Sequence, residues 1–208
     1  MEIDLLSYEK DLYLKGYHLI AGVDEAGRGP LCGPVVASAV ILPENYHLKG
    51  LNDSKKLTSK KRDELYDIIM KDAVSVGISI ISNDIIDEIN ILEASRLAMN
   101  NAIKDLKTKP DYILTDAMDL YKEKVLPIIK GDQKSISIAA ASVIAKVTRD
   151  RIMDDYDNKY PLYEFKNHKG YPTKKHLELI EKYGILDFYR KSYKPVKKIL
   201  ERKNNEIL

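Results

Sequence analysis

Apolar and polar positions alternate along the chain in patterns that predict strands and helices in mixed order. Two runs rich in β-branched residues, one ending at Val23 and the other starting at Val35, are bounded by Gly and Pro and predict paired strands. Shorter apolar runs predict three further strands at Val74–Ile81, Tyr112–Thr115 and Pro127–Lys130. A hairpin followed by alternating strands and helices indicates an α/β fold with a mixed sheet.

Apolar residues at helical spacing predict helices between and after these strands. One helix covers Thr58–Lys71, with Thr58 or Ser59 as its N-cap. Its expected inward face is Leu65, Ile68 and Ile69. The expected inward stripe of the next helix, Ser82–Leu106, is Leu92, Met99, Ala102, Ile103 and Leu106. Further helices are predicted within 3–17, over 138–159, from Thr173 to Gly184, and from Pro195 onward.

Two adjacent acids, Asp24 and Glu25, come where the first strand gives way to a loop holding Gly27, Gly29 and Gly33. A solvated hairpin loop with incidental charge is one interpretation. A dinucleotide-binding turn is disfavoured, because the last two glycines are one residue too far apart and the loop opens a strand, not a helix. The third interpretation is a metal site at a strand end, in which the glycines leave backbone groups accessible to a phosphodiester.

Two later acids occupy similar positions, which a metal site would require. Asp116 follows the strand Tyr112–Thr115, and Asp132 follows Gly131 after the next strand. Ligands of α/β sheets lie beyond the carboxyl ends of neighbouring strands, so these side chains are candidates to join Asp24. Taken alone, each is better explained as a turn residue.

Composition limits the class of protein. At 208 residues and 44% hydrophobic, the chain fits one compact domain with a sizeable core. The lone Cys32 excludes an intramolecular disulfide framework and a cysteine-based zinc cage, and it is expected to be a small packing residue. The N-terminus lacks the pattern of a signal peptide, and no apolar run reaches the roughly 20 residues that span a bilayer. We therefore expect a cytoplasmic protein with no membrane contact.

The charge balance is too mild to identify a partner by itself, with a formal net charge of +2 and a pI near 8.3. Basic residues are concentrated in the C-terminal run 191–203, which favours either a phosphate-binding surface or a solvated helix face. The four histidines show neither metal-ligand spacing nor a nucleophile partner, so surface or packing roles are expected. They are His18, His47, His168 and His176.

Ordered blocks across nearly the whole chain resemble the type 2 ribonuclease H family, the bacterial ribonucleases HII. The opening block is GVDEAGRGPLCGPVV at residues 22–36. The later blocks are DSKKL at 53–57, INILEAS at 89–95, LTDA at 114–117, KGDQKSISIAAASVIAKVTRDR at 130–151 and NHKGYPTKKH at 167–176. One departure is Ala117, where many members of that family carry glycine.

This resemblance implies a fold and a metal site. The fold would be RNase H-like, α/β with a mixed sheet flanked by helices, forming one catalytic domain with a core over about 18–160 and a small helical segment over 161–208. The acids Asp24, Glu25, Asp116 and Asp132 would be catalytic and would bind divalent metal, Mg²⁺ or Mn²⁺. Asp24 would be shared by two ions. Hard divalent ions prefer oxygen ligands, so carboxylates without His or Cys suit this chemistry.

The resemblance also implies a substrate and the residues that bind it. Gly27, Arg28, Gly29, Lys55 and Tyr171 would contact RNA-DNA hybrids or duplex DNA containing ribonucleotides. Cleavage would occur on the 5′ side of a ribonucleotide and leave 3′-hydroxyl and 5′-phosphate ends, and the protein is expected to act as a monomer. Two alternatives are a non-catalytic nucleic-acid-binding domain and a phosphotransferase. The phosphotransferase is disfavoured because the chain has no G-K-[ST] sequence.

Overall fold

The computed structural model describes residues 4–51 and 57–206, with side chains described as far as residue 202. In chain order the strands are β1 Ile20–Ala26, β2 Val35–Ile41, β3 Ser75–Ile81, β4 Tyr112–Asp116 and β5 Val125–Ile128. The helices are α1 Ser7–Tyr13, α2 Ser59–Asp72, α3 Asn83–Asp105, α4 Ile136–Lys159, α5 Phe165–His168, α6 Lys174–Tyr183 and α7 Lys194–Glu206. Short 3₁₀ turns cover Gly131–Gln133 and Pro161–Tyr163.

The strands form one mixed sheet, as the strand and helix pattern predicted, and their order in the sheet is β3-β2-β1-β4-β5. The first three strands in sequence are antiparallel neighbours, whereas β1, β4 and β5 run parallel. The register pairs Val23 of β1 with Thr115 of β4. Since the two strands are parallel, the next residues along them, Asp24 and Asp116, follow at the same edge of the sheet.

Helices cover both faces of this sheet. Against one face, α3 packs the small side chains Ala94, Ala98 and Ala102. On the other face, α4 approaches so closely that a Cβ at Gly22 would lie 2.0 Å from the carbonyl carbon of Ser137. Only glycine fits at that point of β1, and the small buried residues Ala139, Ala140 and Ala141 of α4 allow the same close approach.

Three local predictions were wrong, and each has a physical reason. Asn90 interrupts α3 with φ +66° and ψ +165°, and its side chain accepts hydrogen bonds from the N–H groups of Leu92 and Glu93. This restart shifts the helical phase, so Leu92 is exposed and not part of the buried stripe.

In α2, Ile68 is also exposed, because the buried face of this helix is formed by Leu65 and Ile69. Strand β5 ends at Ile128, two residues before the predicted end, since Lys130 is left-handed with φ +57°.

The C-terminal helices pack on the loop that follows β1. Leu31 and Cys32 from that loop are buried in one apolar cluster with Phe165, Tyr189 and Val196. The backbone N–H of Gly33 donates to the carbonyl of Phe188, and Cys32 forms an isolated antiparallel bridge with Tyr189. The expected packing role of Cys32 is therefore confirmed.

Candidate active site

A pocket of about 360 Å³ opens at the edge where β1 and β4 end. The structure brings together Asp24, Glu25, Asp116, Tyr171 and the loop Gly27–Gly29 in its lining. Four further polar lining residues were not singled out from the sequence: Arg62, Ser142, Lys146 and Arg149. Asp132 does not line the pocket and lies buried in the 3₁₀ turn after β5.

The acids are desolvated and close enough to influence one another. Asp24 is only 4% exposed, and burial raises its pKa well above the usual range. The charges of Glu25, Asp116 and Asp132 raise the Asp24 pKa further. Burial also raises the pKa of Glu25, against the opposing charge of Arg28. Buried carboxyls that repel one another in this way are candidates for binding a cation.

Backbone amides fix two of these carboxylates. Oδ1 of Asp24 accepts from the N–H of Glu25 at 2.7 Å, and Oδ1 of Asp116 accepts from the N–H of Gly131 at 2.7 Å. The second contact joins the end of β4 to the turn that carries Asp132. This bond therefore joins the ends of β4 and β5, while the sheet ladder joins β1 to β4.

The donor set fits a hard divalent cation. Oε2 of Glu25 is buried and accepts no hydrogen bond from the described residues, while Oε1 is held by Arg28 at 3.3 Å. Within residues 4–51 and 57–206, no group of three or more His, Cys, Asp or Glu side chains is positioned to hold a metal ion by itself. Water and substrate oxygens would therefore complete the coordination, as is usual for Mg²⁺.

The glycine loop and Tyr171 form one wall of the pocket. Gly27 has φ +99°, and a Cβ there would lie 2.1 Å from Nε of Arg149, so this position requires glycine. A Cβ at Gly29 would lie 3.3 Å from ring carbon Cε1 of Tyr171. The Tyr171 ring is 43% exposed, which leaves it available to a ligand.

Comparison with known proteins identifies the family that has this site. The family model described as Ribonuclease HII matches residues 21–196, which include all the pocket residues. The chain belongs to the ribonuclease HII family. A ribonuclease HII from Acholeplasma laidlawii is 55% identical over 202 residues, covering 97% of this chain and 100% of that protein.

Solved structures agree with this assignment. The ribonuclease H2 of Pyrococcus horikoshii OT3 superposes with a TM-score of 0.80 at 30% identity, covering 89% of this chain and 98% of that one. Bst-RNase HIII in complex with Mn²⁺ shares the fold, with a TM-score of 0.68, 17% identity, and coverage of 91% and 71%. The RNase H-like fold and the resemblance seen in the sequence are thus confirmed.

Membership of this family makes the protein a ribonuclease H, a hydrolase of the endonuclease class. The prediction that it is an enzyme is confirmed. In the described part of the chain, no helix has the length and apolar character needed to cross a membrane.

Arg190 holds the loop after β1 in this ribonuclease HII, and sequence reasoning missed it. Its side chain is fully buried, and its guanidinium donates at 2.6–3.1 Å to five backbone carbonyls of the loop after β1. The acceptors are the carbonyls of Gly27, Arg28, Pro30, Gly33 and Pro34. The guanidinium therefore fixes the backbone conformation of the loop through these hydrogen bonds.

Arg149 connects this loop to the turn that carries Tyr171. It donates through Nε to the carbonyl of Pro34, through Nη2 to that of Cys32, and through Nη1 to that of Lys169. A signal for its burial was available in the sequence, since Arg149 follows Ala145 by four residues on the apolar stripe of α4. No comparable periodicity marks Arg190.

Two buried histidines contact the backbone of the turn that carries Tyr171. The rings of His168 and His176 stack with centroids 4.0 Å apart. Nδ1 of His168 accepts from the N–H of Gly170, and Nδ1 of His176 lies 2.8 Å from the Tyr171 carbonyl. Burial, and secondarily the charge of His168, lowers the pKa of His176 to about 4, so this ring is neutral at physiological pH. These contacts agree with the packing role expected of both residues.

Two positions noted in the sequence have different outcomes. Ala117 has φ +54°, a left-handed conformation that explains why glycine is common there in the resembling family. Lys55, predicted to bind substrate, lies outside the described residues, and so does Asp53 of the same block.

Proposed function

We propose that this ribonuclease HII hydrolyses the phosphodiester on the 5′ side of ribonucleotides. Its substrates would be RNA-DNA hybrids and duplex DNA containing a single ribonucleotide, and the products would carry 3′-hydroxyl and 5′-phosphate ends. The observation that carries this proposal is the pairing, in one pocket, of a desolvated acid cluster with a glycine loop and an exposed tyrosine ring. The first suits phosphodiester hydrolysis, and the second suits recognition of one sugar.

The acids Asp24, Glu25, Asp116 and Asp132 would hold two divalent ions, Mg²⁺ or Mn²⁺. When bound, the ions would supply a nucleophile at neutral pH and neutralise charge at the phosphate. The mutual repulsion of the acids and the buried, unbonded Oε2 of Glu25 support this assignment. The Mn²⁺ complex of Bst-RNase HIII, a protein of the same fold, is consistent with it.

The chain's own residues would hold the scissile phosphate in place. Asp24 and Asp116 follow paired positions of parallel strands, so their separation is fixed by the sheet. The amide of Gly131 restrains the rotation of the Asp116 carboxylate. Catalytic groups fixed in this way contribute through positioning, because little freedom remains to be lost when the substrate binds.

The loop would recognise the 2′-hydroxyl through its amide groups. Arg190 occupies the carbonyls of Gly27 and Arg28. Within the described residues, the backbone hydrogen bonds leave the N–H groups of Arg28 and Gly29 unused. A 2′-hydroxyl both donates and accepts, so these amides offer a partner that deoxyribose lacks. The Tyr171 ring would then stack on the neighbouring deoxyribose.

A duplex with one embedded ribonucleotide tests this proposal. We expect a single cut on the 5′ side of the ribonucleotide, only with Mg²⁺ or Mn²⁺, with ends that a ligase joins directly. The rate of cleavage of an all-DNA duplex should be lower by a factor of about 10⁴ or more, as expected for a site built around a hydroxyl group. Tyr171→Ala should lose turnover on the single ribonucleotide far more than duplex affinity. A requirement for several consecutive ribonucleotides, or 2′,3′-cyclic ends, would refute it.

A further inference from the structure

We infer that Arg62 and Lys146 form a second phosphate-binding subsite, which holds a backbone phosphate of the bound duplex beside the one that is cut. The inference rests on the proposed function, since it presumes that the acid pocket holds the scissile phosphate. The ligand class is a phosphodiester of a nucleic-acid backbone, bound without reading the base.

The first argument is the continuity of the surface. A neighbouring cavity of about 500 Å³ runs between α2, α4 and the segment 166–169. Arg62 and Lys146 line both this cavity and the active-site pocket, so they lie where one opens into the other. A strand whose phosphate occupies the acid pocket can therefore continue past these two cations.

The second argument is the local charge. Asp150 lies between the two cations, 2.5 Å from Nζ of Lys146 and 3.9 Å from Nη2 of Arg62. One carboxylate facing two cations leaves an excess positive charge at the junction. The side chains are largely shielded from solvent, with Arg62 16% and Lys146 33% exposed, so screening by water is weaker than at the surface.

The third argument is the availability of donors. An ammonium has three N–H donors, and the side-chain hydrogen bond described for Lys146 goes to Asp150. Arg62 uses Nη1 on the carbonyl of Leu57, while Nη2 remains at long range from Asp150. Arg149, in contrast, uses Nε, Nη1 and Nη2 on backbone carbonyls. Arg62 and Lys146 are therefore better placed to bind an anion.

The ionisation of Lys146 supports the same conclusion. Burial lowers its pKa, and the charges of Arg149 and Arg62 lower it further, against the effect of Asp150. A cation held among other cations is stabilised by an incoming anion. Further along the cavity, Arg151 and Lys169 are each paired with a carboxylate, Asp63 and Asp154 respectively. Lys166 also lines this cavity, but of the described cations that line it only Arg62 and Lys146 line the active-site pocket as well.

Neutral variants test the subsite. Lys146→Gln and Arg62→Gln should each raise the Kd for a ribonucleotide-containing duplex about 5- to 10-fold in EDTA and lower the salt slope by about 0.9. In Mg²⁺, KM should rise more than kcat falls. Lys146→Arg should restore most of the affinity, and Lys107→Gln, in a separate cavity with Lys104 and Lys109, serves as the matched control.

Substituting single phosphates locates the contact. A duplex with one neutral methylphosphonate is prepared for each position flanking the cut. For the wild type, the methylphosphonate at one position should raise the Kd by the same 5- to 10-fold. For the Gln variants, the substitution at that position should leave the Kd unchanged. If the variants keep the full sensitivity of the wild type at every position, the subsite does not exist.

The outcomes separate this inference from the proposed function. Cleavage by the wild type at the ribonucleotide depends on the acids, whereas the phosphonate scan is measured as binding without metal. One outcome is that the wild type fails to cut specifically at the ribonucleotide while the methylphosphonate series still shows one position that the Gln variants no longer sense. That result would refute only the proposed function. A uniform loss of affinity in a variant that melts like the wild type would assign Arg62 and Lys146 to diffuse attraction and would overturn the subsite.

Discussion

At the scale of single residues, burial and the neighbouring carboxylates make the negative charge of Asp24 unfavourable in the folded protein. A carboxyl whose pKa is raised by folding binds its proton more tightly in the folded state than in the unfolded one. The contribution of Asp24 to stability is therefore most favourable at low pH, and it is lost as pH rises from the unfolded pKa through the folded pKa. At neutral pH without a cation, the Asp24 charge opposes folding.

Asp24→Asn should consequently stabilise the protein while abolishing its activity. In EDTA at pH 7 we expect a higher melting temperature than that of the wild type, and the difference should shrink as the pH is lowered. Added Mg²⁺ or Mn²⁺ should raise the melting temperature of the wild type more than that of the variant. Asp119→Asn, outside the pocket, is the control and should leave activity unchanged. Activity of Asp24→Asn in Mg²⁺ would remove Asp24 from the site.

Ala117 carries a smaller strain that a substitution can relieve. A non-glycine residue in the left-handed region costs about 1–2 kcal/mol, of which glycine recovers part, since it also loses more entropy on folding. Ala117→Gly should stabilise the protein by about 0.5–1 kcal/mol, measured as an increased urea midpoint. Ala73→Gly, at φ −64°, should destabilise it. A lower midpoint for Ala117→Gly would show that the loop is not strained.

At the scale of elements, the sheet could be predicted from the sequence but the support of its active-site loop could not. Local periodicity and β-branched runs predicted five strands, and strand-end positions selected three of the acids that line the pocket. The bonds of Arg190 reach 156–163 positions back along the chain, and no local pattern encodes such a contact. The interruption at Asn90 was also missed, because a side-chain cap inside a helix leaves the apolar composition unchanged.

Arg190→Lys tests this loop support. Lysine keeps the charge but cannot present a planar set of donors to five carbonyls, so unsatisfied acceptors would remain buried. We expect a loss of about 3 kcal/mol in unfolding free energy and, below the melting temperature, a larger fall in kcat than in duplex affinity. Arg202→Lys, at an exposed pair with Glu181, is the matched control. An unchanged kcat would assign Arg190 to stability alone.

At the scale of the whole molecule, the charge is unevenly arranged even though the net value is small. In α7, Val196 and Ile199 are buried, whereas Lys194, Lys197 and Lys198 are exposed. The terminal helix therefore presents a basic face beyond the apolar cluster. A face of this kind binds backbone phosphates without reading sequence.

Neutralising Lys197 and Lys198 together should weaken duplex binding about equally for all base sequences. The slope of log affinity against log salt should flatten by roughly one unit for each backbone phosphate that is no longer bound. The exposed pair Lys104 and Lys107, at the end of α3, provides the matched control. If the slope does not change, the lysines of α7 form only a solvated helix face.

The dependence of the Gly27–Pro34 loop on Arg190 also sets an order of events during protein synthesis. When the strand ends that carry Asp24 and Asp116 have left the ribosome, Arg190 has not yet been synthesised. The loop that is proposed to examine the sugar still lacks the hydrogen bonds from Arg190, because that residue is translated at least 156 residues after the loop it supports. The described conformation of this loop, and with it the proposed recognition of the sugar, therefore depends on a residue that is synthesised late.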